Sequence, residues 1–151
     1  MRLPTRLGIV AFWLSWPGLW LYLRWSQRTR LLIVCEDEIL VTKTWLGDGR
    51  WSLPGGGLHR REDKTSGLLR EVREEIGLTL QSADIEFLRS ELYRSRGLRF
   101  MCHYYTVQLP QKPALDLQRF EITDASWVNP KQVTPEQFGL DVHTAVAAAR
   151  L

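Results

Sequence analysis

Three glutamates, Glu71, Glu74 and Glu75, recur at i, i+3 and i+4. At about 100° per residue this spacing gathers them on one arc of an α-helix, within side-chain reach of a single point. Stability alone does not favour the arrangement. Like charges at i, i+4 repel by about 0.2–0.5 kcal/mol. All three lie towards the C-terminal half of the helix, where the macrodipole disfavours negative charge. Arg70 precedes Glu74 by four residues, the weaker order for an ion pair. A divalent cation would turn the repulsion into ligation, and hard carboxylate oxygens select magnesium, manganese or calcium over zinc. A Glu-Glu pair by itself is more often a solvated helix face, so the reading rests on its surroundings.

A second group of residues suits an anionic substrate. Arg94, Arg96 and Arg99 crowd the stretch 94–99 between two apolar runs; they either close over phosphates or form a solvated hairpin tip. Trp45, Trp51 and Tyr93 either stack on a base or pack in the core.

The elements that must position these groups are set by periodicity. Residues 65–76 carry helical spacing, with Leu68, Leu69, Val72 and Ile76 on the core arc and Gly77 placed for a left-handed cap. Runs 30–34 and 39–44 are β-branched and aliphatic, which predicts a hairpin. A turn comes next over 45–50, a short strand over 51–53, and then Pro54-Gly55-Gly56-Gly57. Strands are expected over 85–93, 100–109 and 125–128, a loop over 110–120, and an alanine-rich helix over 141–150. Strands before and after a central helix predict an α/β fold, a mixed sheet with helices on its faces.

At 151 residues, 44% hydrophobic and 25% charged, the chain fits one ordinary globular domain. The net charge of +3 is carried almost wholly by arginine, whose fork matches phosphate; acidic lipid, RNA or simple solubility would suit it as well. Cys35 and Cys102 sit in strand-like apolar runs, which predicts buried thiols and no zinc site. Residues 7–23 carry no charge and are rich in Trp, Leu and Phe, with Pro17-Gly18 interrupting them. The stretch is at the lower limit for a spanning helix, about 17 residues. It reads as a membrane anchor or interfacial hairpin, a helical extension packed on the domain, or a leader, although no small-x-small cleavage site comes after it. Arg24, Arg28 and Arg30 beyond it favour the cytoplasmic side for the downstream domain. The boundary falls between an apolar segment, 1–26, and a domain, 27–151.

From Gly56 the chain runs five residues to Glu62, seven more, and then Arg70-Glu71-Val72-Arg73-Glu74-Glu75-Ile76-Gly77-Leu78. This resembles the Nudix box, G-x5-E-x7-R-E-U-x-E-E-x-G-U, at every specified position. Trp51 to Gly57 resembles the family's strand and glycine loop, and Glu121-Ile122 with Ala125-Ser126-Trp127-Val128 a later segment of it. Gly67, where many members carry alanine, departs from the pattern and weakens the helix by about 1 kcal/mol.

The resemblance implies an α/β/α sandwich and hydrolysis of a diphosphate linked to another moiety, in a nucleoside diphosphate derivative or related nucleotide. It implies Mg2+, with Mn2+ able to substitute, held by Glu71, Glu74, Glu75 and the Gly56 carbonyl. Glu62 and Arg70 become a structural ion pair, and Gly77 a structural turn. The glycines let backbone approach metal and phosphates without a Cβ. The general base is Glu71 within the box or Glu121 outside it, with Asp116 and Asp124 behind them. Tyr93, Arg94, Arg96 and Arg99 are the candidate substrate contacts. A phosphorylated small molecule is the expected partner, with no nucleic acid, a plausible homodimer, and a cytoplasmic location with membrane contact through 7–23. Against these stand a non-catalytic binding or sensor module of the same fold, and an isomerase acting on isoprenoid diphosphate.

Overall fold

The computed structural model describes residues 10, 11, 13–15, 17, 18, 26–95, 97–118 and 120–151. Five strands form one mixed sheet: β1 (Gln27–Cys35), β2 (Glu38–Thr44), β3 (Glu86–Ser95), β4 (Leu98–Leu109) and β5 (Ile122–Val128). Their order is β3-β4-β1-β2-β5. β1 runs parallel to β4 and antiparallel to β2, and the outer pairings are antiparallel. Helix α1 (Lys64–Ile76) covers one face and α2 (Leu140–Ala149) the other.

The period of two along β1 builds both cores. Leu31 and Ile33 pack with Leu40, Leu68, Val72 and Ile76 beneath α1. Leu32 and Val34 pack with Ile39, Val41, Tyr104 and Val142 beneath α2. A strand apolar on both faces must lie inside the sheet, and β1 does. Cys35 and Cys102 are free and buried, as their surroundings predict.

Helix α1 starts where Asp63 accepts from the Ser66 amide, and ends at Gly77, whose φ of 71° is the expected left-handed cap. The 116–118 segment then satisfies two carbonyls of its last turn: Asp116 N donates to Ile76 O and Gln118 N to Glu75 O.

Two expectations need correction. The strands expected over 85–93 and 100–109 reach further: β3 and β4 continue into 94–99 with Arg94 opposite Arg99, and Gly97 turns the chain with φ of 81°. Residues 51–53 form no full strand; Trp51 and Ser52 make isolated bridges to Phe138 and Thr42. Most of 7–23, and with it the choice among anchor, packed extension and leader, lies outside the described residues. Among the described residues no helix is long and apolar enough to cross a membrane.

The feature that makes room for a site is the splaying of β1 from β2. Their register holds at Val34↔Ile39 and Cys35↔Glu38. Beyond it the glycine loop takes the place of β2 beside β1: Leu31 N donates to Pro54 O and Thr29 N to Gly56 O.

Candidate active site

The glycine loop runs between the N-terminal half of β1 and the C-terminal half of α1, and the carboxylates of α1 meet it there. Glu75 is buried, with Oε2 accepting from Gly55 N at 2.7 Å. Burial is the main reason that its pKa is pushed up to about 7; nearby Glu121 and Glu71 add to the rise. The Glu71 carboxylate lies against Gly56 so closely that a Cβ there would overlap Oε2. Glu74 is exposed.

The three carboxylates do not converge on one point as the helical arc predicts. Among the described residues no three acidic, histidine or cysteine side chains are arranged around a common centre. The cation that meets two of them is Arg70, with Nη1 2.7 Å from Glu71 Oε1 and 3.3 Å from Glu74 Oε2, while Glu75 turns inward to the loop.

The predicted structural pair is present. Arg70 grips Glu62 through both ends of its fork, Nε to Oε1 at 2.9 Å and Nη2 to Oε2 at 3.0 Å. Hydrogen bonds from Arg70 are the main reason that the Glu62 carboxyl is held down at about 2. Gly67 has a role that its helix propensity hides: a Cβ there would overlap Leu58 and stand 2.9 Å from Glu62 Oε2. The glycine lets the box loop lie flat on the helix.

Beside Glu75 opens a cavity of about 560 Å³. Its walls include Arg28, Arg30, Glu75, Phe100 and Asp141, and its rim Trp45, Phe120 and Glu121. The two rim loops are tied by Trp45 N donating to Glu121 O at 2.7 Å. Trp45 Nε1 is buried without a hydrogen-bond partner. Phe120 is 87% exposed at the mouth.

Of the expected general bases, Glu121 lines the cavity with Glu75. Asp116 does not: it packs on Gly77, and its backbone caps α1. Asp124 is an exposed β5 residue opposite Lys43 that accepts from the Ala125 amide. Of the expected substrate contacts, Tyr93 lines the cavity and stacks on Phe100 at 4.5 Å between centroids. Arg94 and Arg99 do not, because strand alternation turns them away from the side on which Tyr93, Leu98 and Phe100 line it. Arg96 lies outside the described residues.

The arginines that do reach the cavity are Arg28, Arg30 and Arg50. The first two, expected as charges flanking an apolar segment, instead point inward from β1. Arg30 Nε lies 3.3 Å from Asp141 Oδ2, and its Nη1 donates to the Gly55 carbonyl. Burial is the largest influence and works against this charge, but the groups around it, Asp141 foremost, together outweigh it and the pKa ends above the ordinary arginine value. Asp141 is held in turn by Ser52 Oγ at 2.6 Å and Leu53 N at 3.0 Å. The signal was present in the sequence: Arg28, Arg30, Leu32 and Val34 alternate on one strand face.

The donor chemistry fits a hard divalent cation. Glu71 and Glu121 both oppose the ionisation of buried Glu75, and the Gly56 backbone presses on Glu71 where any side chain would intrude.

The comparisons agree with this geometry. A family model described as the NUDIX domain matches residues 25–148. A MutT-like protein of Streptomyces ambofaciens is 30% identical over 106 residues, 68% of this chain and 63% of that protein. The chain therefore spans less than two thirds of the length of that relative. A MutT NUDIX hydrolase from Burkholderia pseudomallei superposes with a TM-score of 0.71 at 19% identity, covering 82% of this chain and 96% of the other. A bifunctional NMN adenylyltransferase/ADP ribose pyrophosphatase from Francisella tularensis, solved with AMP and a manganese ion, superposes at 0.70 with 20% identity. That match covers 93% of this chain and 46% of the other.

Proposed function

The chain belongs to the NUDIX domain family of hydrolases, and on that premise we propose that it hydrolyses a diphosphate linkage in a nucleoside diphosphate derivative or related nucleotide. The observation that carries the reading is Glu75. It is a carboxylate 4% exposed, tied to the glycine loop, and open to the same cavity as Arg28 and Glu121. A purely structural role would not favour an acid whose ionisation burial opposes, with Glu121 and Glu71 adding to the cost.

Glu71, Glu75 and Glu74, with the Gly56 carbonyl, are the residues that would hold Mg2+ or Mn2+. When bound, such an ion neutralises phosphate oxygens and lowers the pKa of water. The protein supplies the rest. Glu121, at the cavity rim, takes the proton as water oxygen bonds to phosphorus and the bridging P–O bond breaks. The cavity walls hold the departing moiety, with Tyr93 and Phe100 as an apolar side. Glu62 and Arg70 hold the loop that carries Gly56.

A panel of diphosphate compounds, assayed with Mg2+ and with Mn2+ by product mass, tests the reading. One or more should be consumed, and Glu74→Gln and Glu75→Gln should each abolish turnover in a folded protein. Binding of nucleotides without any turnover would favour a sensor module instead. We place the enzyme in the cytoplasm, with 7–23 as its candidate membrane contact. Equal solubility of the full chain and a chain beginning at Gln27 would remove that contact.

A further inference from the structure

Among the described residues three arginines line the cavity, and two of them are neutralised by carboxylates there. Arg30 meets Asp141 at 3.3 Å, and Arg50 holds Asp48 through Nε and Nη2, both 2.8 Å from Oδ2. Arg28 is different. It lies two residues before Arg30 on the same face of β1, and its Nε is buried without a hydrogen-bond partner. Its guanidinium stands 5.8 Å from the centre of the Phe100 ring, a contact that recovers only part of what water would have supplied. Burial, and after it the charge of Arg30, holds its pKa below the ordinary arginine value; Glu75 and Glu71 are near enough to act in the opposite sense.

A buried donor left unpaired costs free energy, and more so when it is charged. Placing an arginine here destabilises the free protein unless something else meets the fork. The neighbours say what that is. The fork lies in a cavity that also holds Glu75, beside the residues assigned to a cation, and its planar donors match phosphoryl oxygens. We propose that Arg28 is the anion-binding residue of the cavity, gripping non-bridging oxygens of the substrate's diphosphate next to Glu75. The inference rests on the diphosphate reading above only in naming the anion. Arg30, tied to Asp141 and Gly55, then serves to hold the cavity wall.

The test uses the full-length protein, stripped of metal with chelator, and inorganic pyrophosphate as the probe in calorimetry. Arg28→Met should weaken pyrophosphate binding at least about tenfold. Arg28→Lys, which keeps the charge but not the fork, should fall between it and the wild type. Lys131→Met, an equal loss of charge at an exposed position, should bind as the wild type does. The second readout is the melting temperature without ligand. Because Arg28→Met removes a buried charge whose Nε has no hydrogen-bond partner, its midpoint should match or exceed the wild-type value. Undiminished pyrophosphate binding by Arg28→Met would overturn the proposal. So would a lowered midpoint, which would make Arg28 part of the scaffold. Neither outcome depends on turnover, so a failure of the hydrolase reading would show separately, as a wild-type enzyme that consumes no diphosphate.

Discussion

Gly56 and Glu71 are in such close contact that a Cβ on the glycine would fall on the glutamate carboxylate. The atom in the way is the far end of a flexible side chain, so an alanine at 56 would displace the carboxylate rather than the backbone. Gly56→Ala should therefore fold with little loss of stability while its affinity for Mn2+ falls about 10- to 100-fold. Thermal melts and a manganese titration together check this. An alanine variant with wild-type metal affinity would separate Glu71 from the metal.

Glu75 makes a prediction about pH in the absence of metal. Its folded pKa, raised chiefly by burial to about 7, lies above the unfolded value of 4.5. The folded state thus holds the proton more tightly. The stability linked to this group is fully present below pH 4.5 and is lost as pH rises through 7, about 3 kcal/mol in all. Glu75→Gln, which can still accept from Gly55 N, should therefore melt higher than the wild type at pH 8 without metal. Saturating Mn2+ should stabilise the wild type and leave the variant unchanged. A variant that melts lower at pH 8 would contradict the assignment.

The Glu62–Arg70 fork has the opposite sign. Glu62 titrates near 2 when folded, against 4.5 when unfolded, so its contribution is complete above pH 4.5 and disappears as pH falls through 2. Arg70→Lys loses the two-point grip on Glu62 as well as the bond to Glu71. It should cost roughly 1–3 kcal/mol at pH 7 in denaturant unfolding. The difference from wild type should shrink in acid, and a constant difference down to pH 2 would mean that the pair is not its source.

Glu121 is expected to act on chemistry and not on binding. Glu121→Gln should lower kcat by about 10²- to 10⁴-fold with KM nearly unchanged. Asp116→Asn and Asp124→Asn should stay within about twofold of wild type, since neither carboxylate faces the cavity. A collapse of kcat in either of those two would move the general base.

Much of this was legible from spacing alone. The interval from Gly56 through Glu62 to Glu75 places the loop and helix, and Gly77 ends the helix where a left-handed residue was expected. What spacing could not show was the direction of individual side chains. The helical arc brings three glutamates together in projection, yet Arg70 takes two of them and Gly55 the third. Arg28 and Arg30 looked like charges flanking an apolar segment because nothing local reveals that β1 parts from β2. Once the glycine loop enters that gap, the same two side chains become cavity walls. Arg94 and Arg99 failed for a simpler reason, that extending both strands by two residues puts them on the far side of the sheet. Asp141 looked like the start of an alanine-rich helix; its partners, Ser52, Leu53 and Arg30, are close only in the folded chain.

The most direct test of the whole account is hydrolysis in 18O-labelled water with Mn2+, across a set of nucleoside diphosphate derivatives, with products read by mass spectrometry. The account predicts that at least one compound is cleaved at its diphosphate, that one phosphoryl product gains a single 18O, and that Glu75→Gln releases none. If the folded, metal-loaded wild type cleaves nothing in the set, or if the label enters a carbon-bound oxygen, the acidic face of α1 is not a centre for water attack at phosphorus.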